Sequence, residues 1–262
     1  MRKKDALILS GLALAAWSVS AVEIHIENKD GSQIKGEYLS CEPNGDIIFK
    51  QEKLQRKMKA NEYKYARLAK VPDEITAADK KFADAKFQEA LASYKTLYNQ
   101  YKYVGFDVYC LWKESACLEK LGKNDDAIAR LKTLDSYQLV DKKKELEFNE
   151  SRKLLSNILT GMGKYDDALA VLAVLGNSED DNIAAFSFNA KGDILVRQNR
   201  KKEAVLMLMR TALILNPQNK ERPKALCQIA NLLKELNDNH SIKFAEMLKK
   251  DYPDNPFTKE LK

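Results

Sequence analysis

The sequence predicts a mainly α-helical protein: an α-solenoid of about five stacked helical hairpins preceded by a small β-barrel or β-meander domain. Three observations predict it. A seven-residue phrase recurs, as AKFQEAL at Ala85, GKNDDAI at Gly122, GKYDDAL at Gly163, NRKKEAV at Asn199 and NDNHSIK at Asn237. Its sixth place holds Ala90, Ala127, Ala168, Ala204 and Ile242, at intervals of 37, 41, 36 and 38 residues, a period that belongs to stacked helical hairpins. Residues 22–51 instead alternate apolar and polar side chains between turn signals, the mark of half-buried strands, and helical periodicity takes over after Pro72.

Residues 1–21 have the pattern of a secretory signal. Arg2, Lys3 and Lys4 give a positive start, Ala6 to Trp17 an apolar stretch, and Val19-Ser20-Ala21 a small-residue cleavage site. Cleavage is expected after Ala21. The apolar stretch is shorter than the roughly 20 residues that span a bilayer, which disfavours an uncleaved anchor. Loss of the segment removes three basic residues and one acid, so the formal charge falls from +6 to +4. With both signs interspersed, that mild excess gives little support to nucleic-acid binding.

Residues 22–70 form the expected β domain. Val22, Ile24 and Ile26 alternate with Glu23 and His25; Asn28-Lys29-Asp30-Gly31 is a turn; Ser32 to Cys41 and Ile47 to Gln51 are further strands around the turn at Glu42 to Asp46. Lys53 to Lys59 and Lys64 to Ala69 complete a five-strand unit. Residues 71–262 form the solenoid. Pro72 breaks the chain, and Asp73 or Thr76 caps a first helix. Around each phrase, one apolar-striped helix precedes and another follows, as in Val108 to Leu121 and Asp125 to Leu134. The residue that opens the phrase allows a tight turn of positive φ. Asp125 and Asp166 suit capping and the helix dipole, and Ser178 to Asp181 caps another helix. The interval of 41 implies an insertion around Ser136 to Lys144, and Ile242 marks a terminal repeat.

Seven residues before the turn stand Ser115, Ser156, Gly192 and Ala230, and four before it Leu118, Leu159, Leu195 and Leu233. Four after the closing alanine stand Tyr94, Leu131, Leu172 and Leu208. In these places, and in the proline endings at Pro217 and Pro256, the chain resembles the tetratricopeptide repeat over about 190 residues. The DYPDNP ending is similar to tetratricopeptide proteins of the bacterial cell envelope. KDGSQIKGEYLS, NGDIIFK and KYARL resemble a small SH3-like or Sm-like barrel, although a β-meander fits the same residues.

The chemistry of a catalytic site is missing from the pattern. The two histidines, His25 and His240, have no ligand-like neighbours. Gly161-Met162-Gly163 follows a helix and lacks the Lys-Ser/Thr of a phosphate loop. The acid pairs Asp125-Asp126 and Asp166-Asp167 share one repeat position, as helix starts do. Cys110 and Cys117, seven apart on one helix, are about 10 Å apart along its axis and cannot pair. All four cysteines, Cys41 and Cys227 included, are expected to be buried as small hydrophobes.

The resemblance implies an inner face on the leading helices that holds a partner. Its candidate residues are Tyr109, Trp112, Lys153, Asn157, Asn189, Arg197, Lys224, Asn231 and Lys234. Lys153 and Asn157 resemble half of the carboxylate clamp of some family members, but Gln228 stands where a second cation is wanted. The expectation is an exported, non-enzymatic adaptor of a bacterial periplasm or envelope. It holds a protein or peptide, with no cofactor, no nucleic acid and no membrane span after signal cleavage. The alternative is a structural protein that forms a homo-oligomer through the β unit.

Overall fold

A computed structural model describes residues 22–136 and 142–262, without the side chains of Lys142 and Lys143. The expected signal segment and most of the expected insertion lie outside the described residues. Contacts divide the chain into two units, one up to Pro72 together with Tyr103–Gly105, the other of 73–102 and 106–262.

The first unit is an antiparallel sheet of β1 (Glu23–Asn28), β2 (Gln33–Cys41), β3 (Ile47–Gln51), β4 (Leu54–Met58) and β5 (Tyr63–Leu68), in the order β4-β3-β2-β1-β5. Strands β1 to β4 make a meander, and β5 returns beside β1, with Ile24 opposite Leu68. The two-residue period places Ile24, Ile26, Tyr38, Ile47, Phe49, Ala66 and Leu68 on the buried face. Asp46 is the buried acid of this unit. It accepts from the Ala60 N–H at 3.0 Å and pairs with Lys57 at 3.1 Å.

Among the described residues the second unit contains ten α-helices in five pairs: α1 (Asp73–Ala83) and α2 (Phe87–Tyr101), α3 (Asp107–Lys120) and α4 (Asn124–Lys132), α5 (Lys142–Gly161) and α6 (Tyr165–Leu175), α7 (Asp181–Arg197) and α8 (Lys201–Met209), α9 (Arg222–Glu235) and α10 (His240–Asp251). Each pair is joined by the same device. Ala85, Gly122, Gly163, Asn199 and Asn237 all have positive φ, between 56° and 73°. The next residue donates its N–H five residues back, from Lys86 to Lys81, Lys123 to Leu118, Lys164 to Leu159, Arg200 to Leu195 and Asp238 to Leu233. The positive-φ residue donates three back, to Phe82, Glu119, Thr160, Val196 and Lys234. This double bond pattern closes the carbonyl end of each leading helix.

In the first four pairs the following helix starts two residues after the turn residue, and the closing alanines Ala90, Ala127, Ala168 and Ala204 have 0 % exposure. Four residues on, Tyr94, Leu131, Leu172 and Leu208 are buried in every copy. On the leading helices Ser115, Ser156, Gly192 and Ala230 are buried too. A Cβ on Gly192 would lie 2.8 Å from Leu208, so α7 and α8 approach as closely as glycine permits.

Two expectations are corrected. Asp125 and Asp166 do not cap: Lys123 and Lys164 hold the cap positions with no side-chain bond, leaving the acids in the first turn, where they favour the helix dipole. Asp180, by contrast, caps α7 by accepting from the Asn182 N–H at 2.8 Å. Ile242, the departure that marks the terminal repeat, is 61 % exposed. Asp238 accepts from the His240 N–H, α10 begins one residue late, and its phase turns Phe244 and Leu248 inward. Cys110, Cys117 and Cys227 are buried, but Cys41, on β2, is only partly so. Burial raises the thiol pKa of Cys110, and pushes that of Cys117 to about 12.

Because a Cβ at Gly122 meets nothing within 4 Å, its replacement acts through the backbone alone. Gly122→Ala is expected to destabilise by about 1 kcal/mol, and Ala85→Gly to stabilise by about 0.5–1 kcal/mol, in urea unfolding. Ile242→Ala should be within about 0.5 kcal/mol of the parent. Stabilisation by Gly122→Ala together with destabilisation by Ala85→Gly would show that their φ values do not matter.

Candidate functional site

The leading helices α1, α3, α5, α7 and α9 carry the candidate face. Counting back six from each positive-φ residue gives Asp79, Ala116, Asn157, Asp193 and Asn231. Four of these are polar, and three reach toward the next leading element. Asp79 on α1 accepts from the Tyr109 hydroxyl of α3 at 2.7 Å and from the Tyr94 hydroxyl of α2 at 2.6 Å, with Lys113 of α3 at 3.6 Å. Asp193 on α7 accepts from Lys224 at 2.8 Å and from Gln228 at 2.5 Å, both on α9. Asn231 on α9 holds main-chain atoms of the segment that follows α10: its Nδ2 donates to the Glu260 carbonyl at 3.1 Å, and its Oδ1 accepts from the Lys262 N–H at 2.9 Å.

This register explains where the nine candidate residues lie. Tyr109 and Lys224 tie successive leading helices together through Asp79 and Asp193. Asn189 is buried and donates to the carbonyl and the carboxylate of Glu221, at 3.0 and 3.1 Å. Asn231 and Lys234 hold the chain's own last residues, Lys234 donating to the Lys262 carbonyl at 2.8 Å. Lys153 pairs with Glu150 at 2.9 Å, and its ammonium lies 5.3 Å from the Phe186 ring centroid on α7. Six of the nine are therefore committed within the chain.

Trp112, Asn157 and Arg197 remain. Trp112 is partly buried, its ring edge-on to Tyr109 at 5.8 Å and 5.1 Å from the Lys113 ammonium, and its indole N–H makes no hydrogen bond among the described residues. Asn157 and Arg197 are exposed, and neither side chain makes a hydrogen bond or ion pair among the described residues. They stand ten, six and two residues before their turns, on three successive leading helices. Each is thus one helical turn further along than the last, on one face.

Sequence reasoning missed Asp79 and Asp193, the acids that organise this face. The signal was present: both sit at the six-before position, one residue after the buried small residue at Ala78 and Gly192. Among the described residues no group of three or more His, Cys, Asp or Glu is placed to hold a metal ion. No described helix is long and apolar enough to cross a membrane.

The sequence matches no protein-family model and no curated protein sequence. Solved structures are similar in fold. The apo form of RapI aligns at 13% identity over 71% of this chain, with a TM-score of 0.58. The C-terminal part of a TPR repeat-containing protein from Cytophaga hutchinsonii aligns at 14% identity over 68%, with a TM-score of 0.53. A tetratricopeptide repeat protein from Parabacteroides merdae aligns at 12% identity over 72% of this chain and 71% of its own, with a TM-score of 0.52. The chain spans 54% of the RapI chain and 65% of the Cytophaga chain. The shared feature is the tetratricopeptide-type helical solenoid.

The Tyr94 and Tyr109 hydroxyls are held above the ordinary tyrosine range, by burial first and then by the Asp79 carboxylate they face. A raised folded-state value means that the unfolded chain loses its protons first as pH climbs. The tyrosines should therefore make stability fall above about pH 10, beyond the earlier decline from about pH 8.5 that the raised Cys110 and Cys117 thiols cause. Thermal melts from pH 7 to 11 test this; Tyr94→Phe with Tyr109→Phe should flatten the alkaline fall while lowering stability at pH 7 by about 1–3 kcal/mol. An unaltered alkaline slope in the double variant would contradict the assignment.

Proposed function

We propose that this protein is a non-enzymatic scaffold that holds a protein or peptide partner across the leading helices α3, α5 and α7. The observation that carries the reading is the contrast along that face. At its two ends the polar side chains are bonded to neighbouring helices, and in the middle Trp112, Asn157 and Arg197 are left available. An aromatic ring with a free N–H, an amide and a guanidinium supply an apolar anchor, a main-chain grip and a carboxylate partner.

The three positions advance by about 6 Å along the helix per step while the helices succeed one another at about 10 Å, so a segment touching all three crosses diagonally. About seven extended residues cover that distance. The reading favours a partner segment with an apolar residue toward α3 and an acidic one toward α7. The start of the sequence supports export, with the signal at residues 1–21, to a bacterial periplasm or envelope. The SH3-like or Sm-like reading of the β unit is supported by β5 returning beside β1 in the strand order.

Affinity capture by the chain without residues 1–21, followed by mass spectrometry, identifies the partner. Trp112→Ala, Asn157→Ala and Arg197→Ala should each reduce its recovery at least about fivefold, a loss of about 1 kcal/mol or more, while Lys224→Ala mainly lowers stability. Unchanged recovery in all three variants would overturn the placement on this face.

A further inference from the structure

The clearest peptide-gripping geometry in the molecule is at its last leading helix, and its occupant is the chain itself. Beyond α10 the chain forms a short 3-10 turn, Pro256–Glu260, and is extended at Leu261, with φ −63° and ψ 127°. Asn231 grips the main chain of this segment on both sides, accepting from the Lys262 N–H and donating to the Glu260 carbonyl. Lys234 donates to the Lys262 carbonyl, and Glu235 pairs with the Lys262 ammonium at 2.9 Å. Phe257 and Leu261 rest on the apolar cluster built by α8, α9 and α10.

This grip differs from the bonds that lock the other hairpins together. The chain is anchored firmly just before the segment. Buried Arg222 donates to the Ala212 carbonyl, to Asp251 and to the Tyr252 hydroxyl, and that hydroxyl donates to the Pro217 carbonyl at 2.6 Å. From Pro253 to Lys262 no residue is buried, whereas every leading helix buries at least two. The turn is held by its own bonds, Asn255 accepting from the Phe257 N–H and Thr258 donating to the Tyr252 carbonyl. It is a preformed ligand, tethered at Tyr252, that makes its polar contacts to α9 chiefly through its main chain and one lysine. Such a segment opens at far lower cost than the helices beneath it.

We propose that the Cys227–Glu235 face of α9 is a peptide-binding site, and that residues 256–262 occupy it as a displaceable resident ligand. It would take a peptide with an aromatic residue, an apolar residue four positions later and a basic residue next, matching Phe257, Leu261 and Lys262. Asn231 grips the main chain, Lys234 the carbonyl of the basic residue and Glu235 its cation. The site is separate from the α3–α7 face and stands or falls independently of it.

Cys227 reports on it directly, because this buried thiol accepts from Asn231 Nδ2 at 3.6 Å and lies under the segment. In the full chain, thiol labelling followed by mass spectrometry should modify Cys227 at least about tenfold faster than Cys110 and Cys117, which are exposed only by wider unfolding. Asn231→Ala should speed Cys227 further, by about tenfold for two lost hydrogen bonds, and leave the other two unchanged. A fluorescent peptide of residues 255–262 should then bind in trans to the full chain carrying Phe257→Ser and Leu261→Ser. It should bind the parent, whose site is filled, at least about fivefold more weakly, and adding Asn231→Ala to the double variant should weaken binding about tenfold. Labelling of Cys227 in step with Cys110 and Cys117 would overturn the proposal, as would a folded double variant that fails to bind the peptide. If the double variant does not fold, the labelling ratios and their response to Asn231→Ala decide.

Discussion

The rest of the solenoid depends on one backbone conformation, the positive φ adopted once between the two helices of each pair. A residue in that region ends the leading helix, turns its last carbonyls onto two fixed N–H donors and sets where the next helix starts. Two of the five positions are glycine, which adopts it freely; Ala85, Asn199 and Asn237 hold it against a steric cost that surrounding packing must offset. Once the starting point is fixed, so is the phase. Ala90, Ala127, Ala168 and Ala204 then fall on the line of closest approach, and a single delayed start at His240 is enough to put Ile242 in solvent.

The same phase distributes the polar groups. A side chain six residues before the turn points at the next leading element, so its identity decides what happens between hairpins. Asp79 and Asp193 draw donors from the following helix, Asn231 draws main chain from the terminal segment, and Ala116 draws nothing. These bonds use up most of a face that would otherwise be free to bind. Among the described residues the Asn157 side chain makes no such tie, and under the proposed scaffold role it would, with Trp112 and Arg197, be where a partner has something to gain.

Much of this was legible in the sequence because the turn is a local event. Seven consecutive residues carry the positive-φ position, the helix start and the closing alanine, and they recur often enough to be aligned by eye. The strands were legible for the same reason, from the alternation of Ile24 and Ile26 with Glu23 and His25. What the sequence does not reveal is which of these residues meet partners nearly a whole repeat away. Asn189 meets Glu221, Lys224 meets Asp193 and Lys234 meets Lys262, each about thirty residues apart. Family position places such side chains on the inner face but cannot say that a neighbouring helix has claimed them. Ile242 stands out in the sequence as the departure of a terminal repeat, but the later helix start beside the Asp238–His240 contact is seen only in the structure.

Trp112 is the sole tryptophan beyond residue 21, so its emission reports on the middle of the leading-helix face without any label. Titrating the captured partner into the chain lacking residues 1–21, while following the tryptophan spectrum and its quenching by acrylamide, tests directly whether that face is where binding occurs. A partner seated against α3 should shift the emission and shield the ring from quencher, saturably and equally in the Asn231→Ala variant. A bound partner that leaves both the spectrum and the quenching unchanged would contradict the account.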